Sequence, residues 1–210
     1  DQENDESYLD RWLNSNYGEW REDAIRAELL TVPGVKYARV KTNRLMEKVK
    51  FDLQLEKVIN EMVPKSIYCI IEGGTDEEIG EAIFKMHDFA VETNGLKETN
   101  VINKQGDKKI IRFDRPVLRQ IEYRKKYELN NIEINDTEID IIIKDYIKSV
   151  GPGEYLKSFR LQEILKNTYG SESFLYINID FKRKDDKEAS FEQTLLLDIR
   201  EKAEGVLNNE

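Results

Sequence analysis

Hydrophobic side chains recur every three or four positions in some segments of this chain and every second position in others, so both helices and strands are expected. The helical spacing appears first near the beginning of the chain, at Leu9, Trp12 and Leu13. It returns in residues 22–30, where one face carries Ile25, Leu29 and Leu30. Pro33 and Gly34 should end this second helix, because both residue types interrupt helices. A strand is expected next, at residues 36–41.

Residues 44–63 change from one spacing to the other. Apolar and polar side chains alternate first, as in a half-buried strand whose apolar positions are Val49, Phe51, Leu53 and Leu55. A helical turn is then predicted from the spacing of Val58, Ile59 and Met62.

A strand predicted at residues 66–72 runs into Gly73 and Gly74 and then into another helix. Thr75 and Glu78 have the spacing of a capping box, in which side chains bind the first free N–H groups of a helix. Because only two residues redirect the chain, at least one of the two glycines should have a positive φ. The buried stripe of the helix is expected at Ile79, Ala82, Ile83 and Met86.

The pattern then divides the chain into two halves. A β-hairpin is predicted from residues 101–102 and 109–113, and Pro116 follows it as the boundary. The predicted fold class is α+β, with two small units that are each a mainly antiparallel sheet covered by helices. The expected divisions are an N-terminal helical segment, a first unit and a second unit, at residues 1–21, 22–115 and 116–210.

The second half begins with a long alternating strand of the antiparallel type, which ends near Leu129. Asn135 and Glu138 repeat the capping pattern before a helix whose apolar stripe is Ile139, Ile142, Ile143, Tyr146, Ile147 and Val150. Ser158 should cap a further helix. Strands are expected at residues 173–182 and 193–199, and one face of the first should carry Leu175, Ile177, Ile179 and Phe181.

The chain is acidic, with a net charge of −9. Nucleic-acid binders normally present a basic face, and anionic membranes attract basic segments, so neither partner is expected. The basic run Arg124-Lys125-Lys126 is expected to lie along a solvated strand face. No apolar run reaches the ~18 residues that would cross a bilayer. The chain begins at Asp1 rather than at methionine, so further native sequence is expected upstream.

Few residues could carry catalysis or hold a metal ion. The single cysteine, Cys69, lies in an apolar run where a buried thiol is ordinary, and the single histidine, His87, lies near a helix end. Asp76, Glu77 and Glu78 should oppose the positive end of the helix dipole. They would also repel a phosphate, and neither the dinucleotide nor the P-loop pattern surrounds the glycine pair. No catalytic residue, cofactor or metal site is predicted.

Four short segments also occur in an informative order. The first is residues 23–35, which end in Pro33-Gly34-Val35, and the second is residues 63–83 around Gly73-Gly74. The third is residues 89–95, and the fourth comprises Gly106 and Ile111-Arg112-Phe113-Asp114-Arg115-Pro116. Together they resemble the baseplate J-like family over residues 22–130. This chain departs from the family's pattern at residues 87–89, where the family has proline, and at residues 44–62, which are longer and more apolar.

The resemblance implies a structural protein that is not an enzyme. It implies a wedge subunit of the baseplate of a contractile phage tail. Wedge subunits join other wedge and hub proteins, and copies of themselves, in the baseplate ring. The implied location is the virion tail baseplate or a phage-like particle, assembled in the bacterial cytoplasm. The family brings no catalytic residues, and the expected turn and cap residues are Pro33, Gly34, Gly73, Gly74, Thr75, Glu78 and Pro116.

Two alternatives stay open. One is an enzyme or small-ligand binding protein that uses the loop at residues 73–78, which would require a concave pocket with convergent polar groups. The other is a free-standing adaptor that binds one partner and joins no ring.

Overall fold

The computed structural model describes residues 22–86, 91–103, 105–130, 133–186 and 188–207. These residues form two compact units, and the division lies between Pro116 and Val117. The fold is α+β, as predicted, with small and mostly antiparallel sheets. The helix predicted within residues 1–21 and the position of His87 lie outside the described residues.

The first unit combines two described helices with seven described strands. In chain order they are α1 (Glu22–Thr31), β1 (Val35–Asn43), β2 (Val49–Lys50), β3 (Glu61–Met62), β4 (Ser66–Gly73), α2 (Asp76–Met86), β5 (Glu92–Asn94), β6 (Lys97–Ile102) and β7 (Lys108–Phe113). The helix, strand and hairpin predictions for residues 22–41, 66–86 and 101–113 are confirmed. Leu30 is an exception, because it is exposed while Ile25 and Leu29 are buried.

β4 is the central strand of the first unit. It pairs antiparallel with β1 and parallel with β5, and β6 and β7 form a separate antiparallel hairpin. Residues 66–71 are all buried, so both faces of β4 are covered. Such a strand carries a continuous apolar run instead of an alternating one. One face packs in the core with α1 and α2 through Ile67, Cys69 and Ile71.

The strand and helical turn predicted within residues 49–62 are wrong. Regular structure there is limited to β2 and β3, which form a two-residue ribbon. Between them, the Asn60 side chain replaces strand pairing: its Oδ1 accepts from the Leu55 N–H at 3.2 Å, and its Nδ2 donates to the Leu55 carbonyl at 3.0 Å. Leu55 and Val58 are buried, and the Phe51 ring lies 5.6 Å from the Tyr68 ring of β4. Phe51 of this segment therefore packs against the first unit's central strand.

The second unit contains two helices and five strands in its described residues. They are β8 (Val117–Leu129), α3 (Asp136–Ser149), β9 (Tyr155–Lys157), α4 (Ser158–Tyr169), β10 (Phe174–Arg183), β11 (Thr194–Leu196) and β12 (Glu201–Leu207), with a 3-10 turn at Ser171–Ser173. β8 is central, antiparallel to β10 and parallel to β12. The core of this unit unites Ile121 and Tyr123 of β8 with α3 and α4.

Several predictions for the second unit need correction. Asn135 caps α3 as predicted, because its Oδ1 accepts from the Thr137 N–H at 3.0 Å. Ser158 does not cap α4; it is the first helical residue, and its backbone N–H donates to the Gln193 carbonyl.

Two strand predictions for the second unit also need correction. Leu175 is exposed because a register shift follows Phe174. The strand predicted at residues 193–199 is limited to β11, which pairs with β9, and the parallel strand β12 was not predicted.

The basic run at residues 124–126 is only partly solvated, contrary to the prediction. Lys125 faces inward, and its Nζ lies 2.5 Å from an Asp140 carboxylate oxygen and 2.8 Å from one of Asp136. A hydrogen bond from Lys125 is the main reason that the pKa of Asp136 is lowered. The alternation of β8 therefore places one of these cations on the helix-covered face of the sheet.

Buried ion pairs fix the beginning of β12. The Arg200 guanidinium binds Asp198 through two hydrogen bonds of 2.6 and 3.1 Å, and its side chain is fully buried. Glu201, equally buried, accepts from Arg183 at 2.8 and 3.0 Å. The hydrogen bond with Glu201 raises the pKa of Arg183. Loss of Arg183 or Asp198 would be costly, because each pairs with a buried charge.

Cys69 provides a probe for opening of the first unit. Its side chain is buried in β4, and burial raises the pKa of the thiol to about 12. Because the thiolate is the reactive form, a thiol reagent at pH 8 should label the native protein at least ~1000-fold more slowly than the urea-unfolded chain. Labelling of native protein within tenfold of the unfolded rate would contradict the packing described for β4.

Candidate functional site

Two turns of the first unit meet at glycines. Gly34, Gly73 and Gly74 have φ values of +80°, +84° and +69°, which confirms the prediction of positive φ at the glycine pair. A Cβ atom on Gly73 would lie 2.0 Å from the Gly34 carbonyl oxygen, and one on Gly74 would lie 2.6 Å from the Val35 side chain. Only glycine fits both the backbone conformation and this approach. We call these three residues the glycine junction.

Thr75 caps the helix that follows the glycine junction. Its hydroxyl oxygen accepts from the Glu78 N–H at 3.4 Å, and its carbonyl accepts from the Ile79 N–H. The Thr75 hydroxyl also donates to the Glu78 carboxylate at 2.8 Å. The predicted pair therefore interacts, but the Glu78 carboxylate binds the Thr75 hydroxyl, whereas in a capping box it would bind the backbone N–H of the cap residue.

Arg115 joins both sides of the loop that begins α2. Its guanidinium donates to the carbonyl oxygens of Ile71 at 3.2 Å, of Gly74 at 3.1 Å and also of Gly73. It also lies 2.5 Å from the Asp76 carboxylate. The planar fork of arginine can satisfy several acceptors at once, which an ammonium group cannot do in one geometry. Arg115 therefore binds the strand end, the turn and the helix start together.

The neighbouring Asp114 gathers three other segments. Its buried carboxylate accepts from the Tyr68 hydroxyl at 2.7 Å, from the Ile59 N–H at 2.8 Å and from the Leu96 N–H at 2.7 Å. These donors belong to β4, to the irregular segment after β2 and to the turn before β6. Asp114 thereby pairs its charge with donors and fixes the irregular segment against the central strand.

These contacts limit what the loop at residues 73–78 can do chemically. The Asp76 carboxylate is paired with Arg115, and the Glu78 carboxylate is bonded to Thr75. Arg115 also occupies the loop's first carbonyl groups. An open cleft of about 670 Å³ in the first unit is lined by Asn60, Glu61, Asn94 and Arg112 among others, and none of its lining residues belongs to the loop.

The predicted turn and cap residues lie together at one end of the first unit. Pro33, Gly34, Gly73, Gly74, Thr75 and Glu78 belong to the two turns and the helix start, while Pro116 follows directly after Arg115. Sequence reasoning did not single out Asp114 or Arg115 as site residues. Ile111 and Phe113 alternate with outward-facing residues of β7, and Asp114 falls among the outward positions. The alternating pattern of the sequence therefore does not predict that Asp114 is buried.

No family model and no curated protein matches the chain. None of the described helices is long and apolar enough to cross a membrane. Across the described ranges, His, Cys, Asp and Glu side chains form no group of three that could hold a metal ion.

The glycine junction yields a prediction with a matched control. Gly73→Ala should lower the free energy of unfolding by about 2–4 kcal/mol, because the new Cβ meets the Gly34 carbonyl and the residue keeps a positive φ. Gly106→Ala should cost only about 1 kcal/mol, since Gly106 also has positive φ but has open space around it. Urea denaturation of both variants measures the difference, and equal losses would show that the close approach does not matter.

The role of Arg115 can be tested by removing its fork while keeping its charge. Arg115→Lys should destabilise the first unit by about 1–3 kcal/mol, because one ammonium group cannot reach all four acceptors. Arg112→Lys is the control: its exposed pair with Glu98 should contribute less than about 1 kcal/mol. Thermal melts that rank the two substitutions the other way would contradict the role given to Arg115.

Proposed function

We propose that this chain is a structural wedge subunit of the baseplate of a phage or phage-like contractile tail. The support is the resemblance of four segments to the baseplate J-like family, together with where three of them lie. The glycine pair contacts the turn at Gly34 and binds Arg115 through its carbonyl oxygens, although the three come from distant parts of the chain. Motif residues that serve as internal packing and hydrogen-bonding partners fit a protein whose work is mechanical.

The alternative in which the loop at residues 73–78 serves an enzyme or a ligand site has less support. Two of its carboxylates are engaged, that of Asp76 by Arg115 and that of Glu78 by Thr75, and Glu77 and Glu78 are both exposed. A loop held in this way is suited to carrying load between a strand and a helix. Under this proposal the partners are other wedge and hub proteins and further copies of this chain, in a particle assembled in the bacterial cytoplasm.

Electron microscopy of tail particles tests the proposal. An epitope inserted beside Asp186, in an exposed turn of the second unit, should be labelled at one end of contractile tails from cells that encode the chain. Absence of label from purified tails would overturn the wedge assignment. Recovery of the tagged chain with a single partner outside any particle would favour the adaptor, and loss of an activity in a stable Glu77→Gln variant would favour the enzyme.

A further inference from the structure

Strand β6 has an open outer edge. The backbone N–H of Arg112 in β7 donates to the Thr93 hydroxyl, so it points away from β6. Arg112 is paired with Glu98, and backbone groups in an antiparallel pair alternate in direction. The N–H and C=O groups of Glu98, Asn100 and Ile102 therefore point away from the hairpin. Within the described ranges, no residue forms a hydrogen bond with these backbone groups.

The outer edge of β1, in the three-stranded sheet of the same unit, is protected and provides a contrast. At β1, the Arg26 side chain donates to the Ala38 carbonyl at 3.0 Å, and the Glu22 carboxylate accepts from the Thr42 N–H at 2.8 Å. Both side chains come from α1. An uncovered strand edge offers a template for pairing with another chain, and native proteins usually block it. β6 carries no such cover from the described residues, and Ile102 beside its edge is 69% exposed.

Helix α2 lies directly over β6. A Cβ atom on Gly80 would lie 2.2 Å from the Thr99 side chain and 3.3 Å from that of Val101. Residues three and four positions apart share one flank of a helix, so Glu77 and Phe84 lie on the same flank as Gly80. Glu77 is exposed, and no described cation is paired with it; Phe84 is half-buried.

This placement disfavours pairing between the β6 edges of two copies of the chain. Pairing of two β6 edges about a two-fold axis normal to the sheet would bring the strands to a separation of about 4.8 Å. Each strand carries its own α2 on the same face, and packed helices need about 8–10 Å between axes. A lone extended segment with no helix of its own avoids this clash.

We infer that the β6 edge binds an extended segment of a partner protein, which adds a strand beside Glu98, Asn100 and Ile102. The side chains of that segment that face α2 include apolar residues and a lysine or arginine opposite Glu77. Main-chain hydrogen bonds supply the affinity in this mode of recognition, and alternate side chains supply the specificity. The inference goes beyond the proposed function, because it rests on the geometry of this edge and holds for any assembly.

A synthetic peptide, acetyl-Thr-Val-Thr-Val-Thr-Lys-Thr-amide, is the probe. In an NMR titration up to a few millimolar, the amide protons of Glu98, Asn100 and Ile102 should gain protection from exchange, whereas those of Thr99 and Val101 should stay as they were. This period of two is the signature of strand addition. No binding at these concentrations, or protection without that period, would overturn the inference.

Substitutions at Asn100 separate strand pairing from other contacts. Asn100→Pro removes the outward N–H, and an edge strand tolerates proline at such a position. The substitution should weaken peptide binding at least about tenfold. Asn100→Ala keeps the N–H and should change affinity less than about twofold. Equal affinity of both variants would overturn the inference. If the proline variant melts early, a peptide N-methylated at alternate residues makes the same test on the unchanged protein.

The contact between the peptide's lysine and Glu77 can be tested separately. Replacing the peptide's lysine by glutamate should weaken binding by about two- to fivefold, the range for an exposed ion pair. That difference should vanish with Glu77→Gln. A difference that persists in Glu77→Gln would contradict the placement of α2 beside the bound strand. Sedimentation completes the test: a dimer that Asn100→Pro abolishes would mean that a second copy occupies the edge, contrary to the inference.

Discussion

Two adjacent side chains at the end of β7, Asp114 and Arg115, hold the first unit together. The two side chains bind different segments. The Asp114 carboxylate accepts hydrogen bonds from three segments, and the Arg115 guanidinium donates to carbonyl oxygens of the strand end and of the turn before α2. A buried carboxylate is tolerated only where donors satisfy it. The irregular segment after β2 must therefore stay close to β4, where its Ile59 N–H binds Asp114. The bonds from Arg115 to Gly73 and Gly74 hold the glycine junction in place.

The same constraint explains the form of the segment between β1 and β4. A central strand buried on both faces needs a second cover besides the helices, and Phe51 packs against its Tyr68 without regular strand pairing. Asn60 and Asp114 satisfy the backbone groups that a strand would have paired. Among the motif residues, Gly34, Gly73, Gly74 and Arg115 contact other parts of the same unit.

The spacing of apolar residues and the turn and cap residues predicted those elements that depend on residues nearby in the sequence. The helix of Ile79 and Ile83, the turn at Gly73 and Gly74 and the cap at Asn135 all depend on neighbours a few residues away. The failures share a cause in distant contacts. Residues 49–56 alternate like a strand but cover β4, and Leu175 lies beside a register shift. Asp114 follows the outward positions of β7 but is buried by segments distant in sequence.

The most direct test of this account is the opening of the first unit, measured by thiol labelling of Cys69 under native conditions, when the Asp114 carboxylate becomes an amide. Asp114→Asn keeps the shape but replaces one acceptor oxygen with an NH2 group, so a donor faces the N–H and O–H donors that the carboxylate binds. Labelling should therefore accelerate about 30-fold or more, equivalent to about 2 kcal/mol. Asp107→Asn, in the exposed hairpin turn, should leave the rate almost unchanged. Labelling of Asp114→Asn within threefold of that control would contradict the claim that this carboxylate holds the unit together.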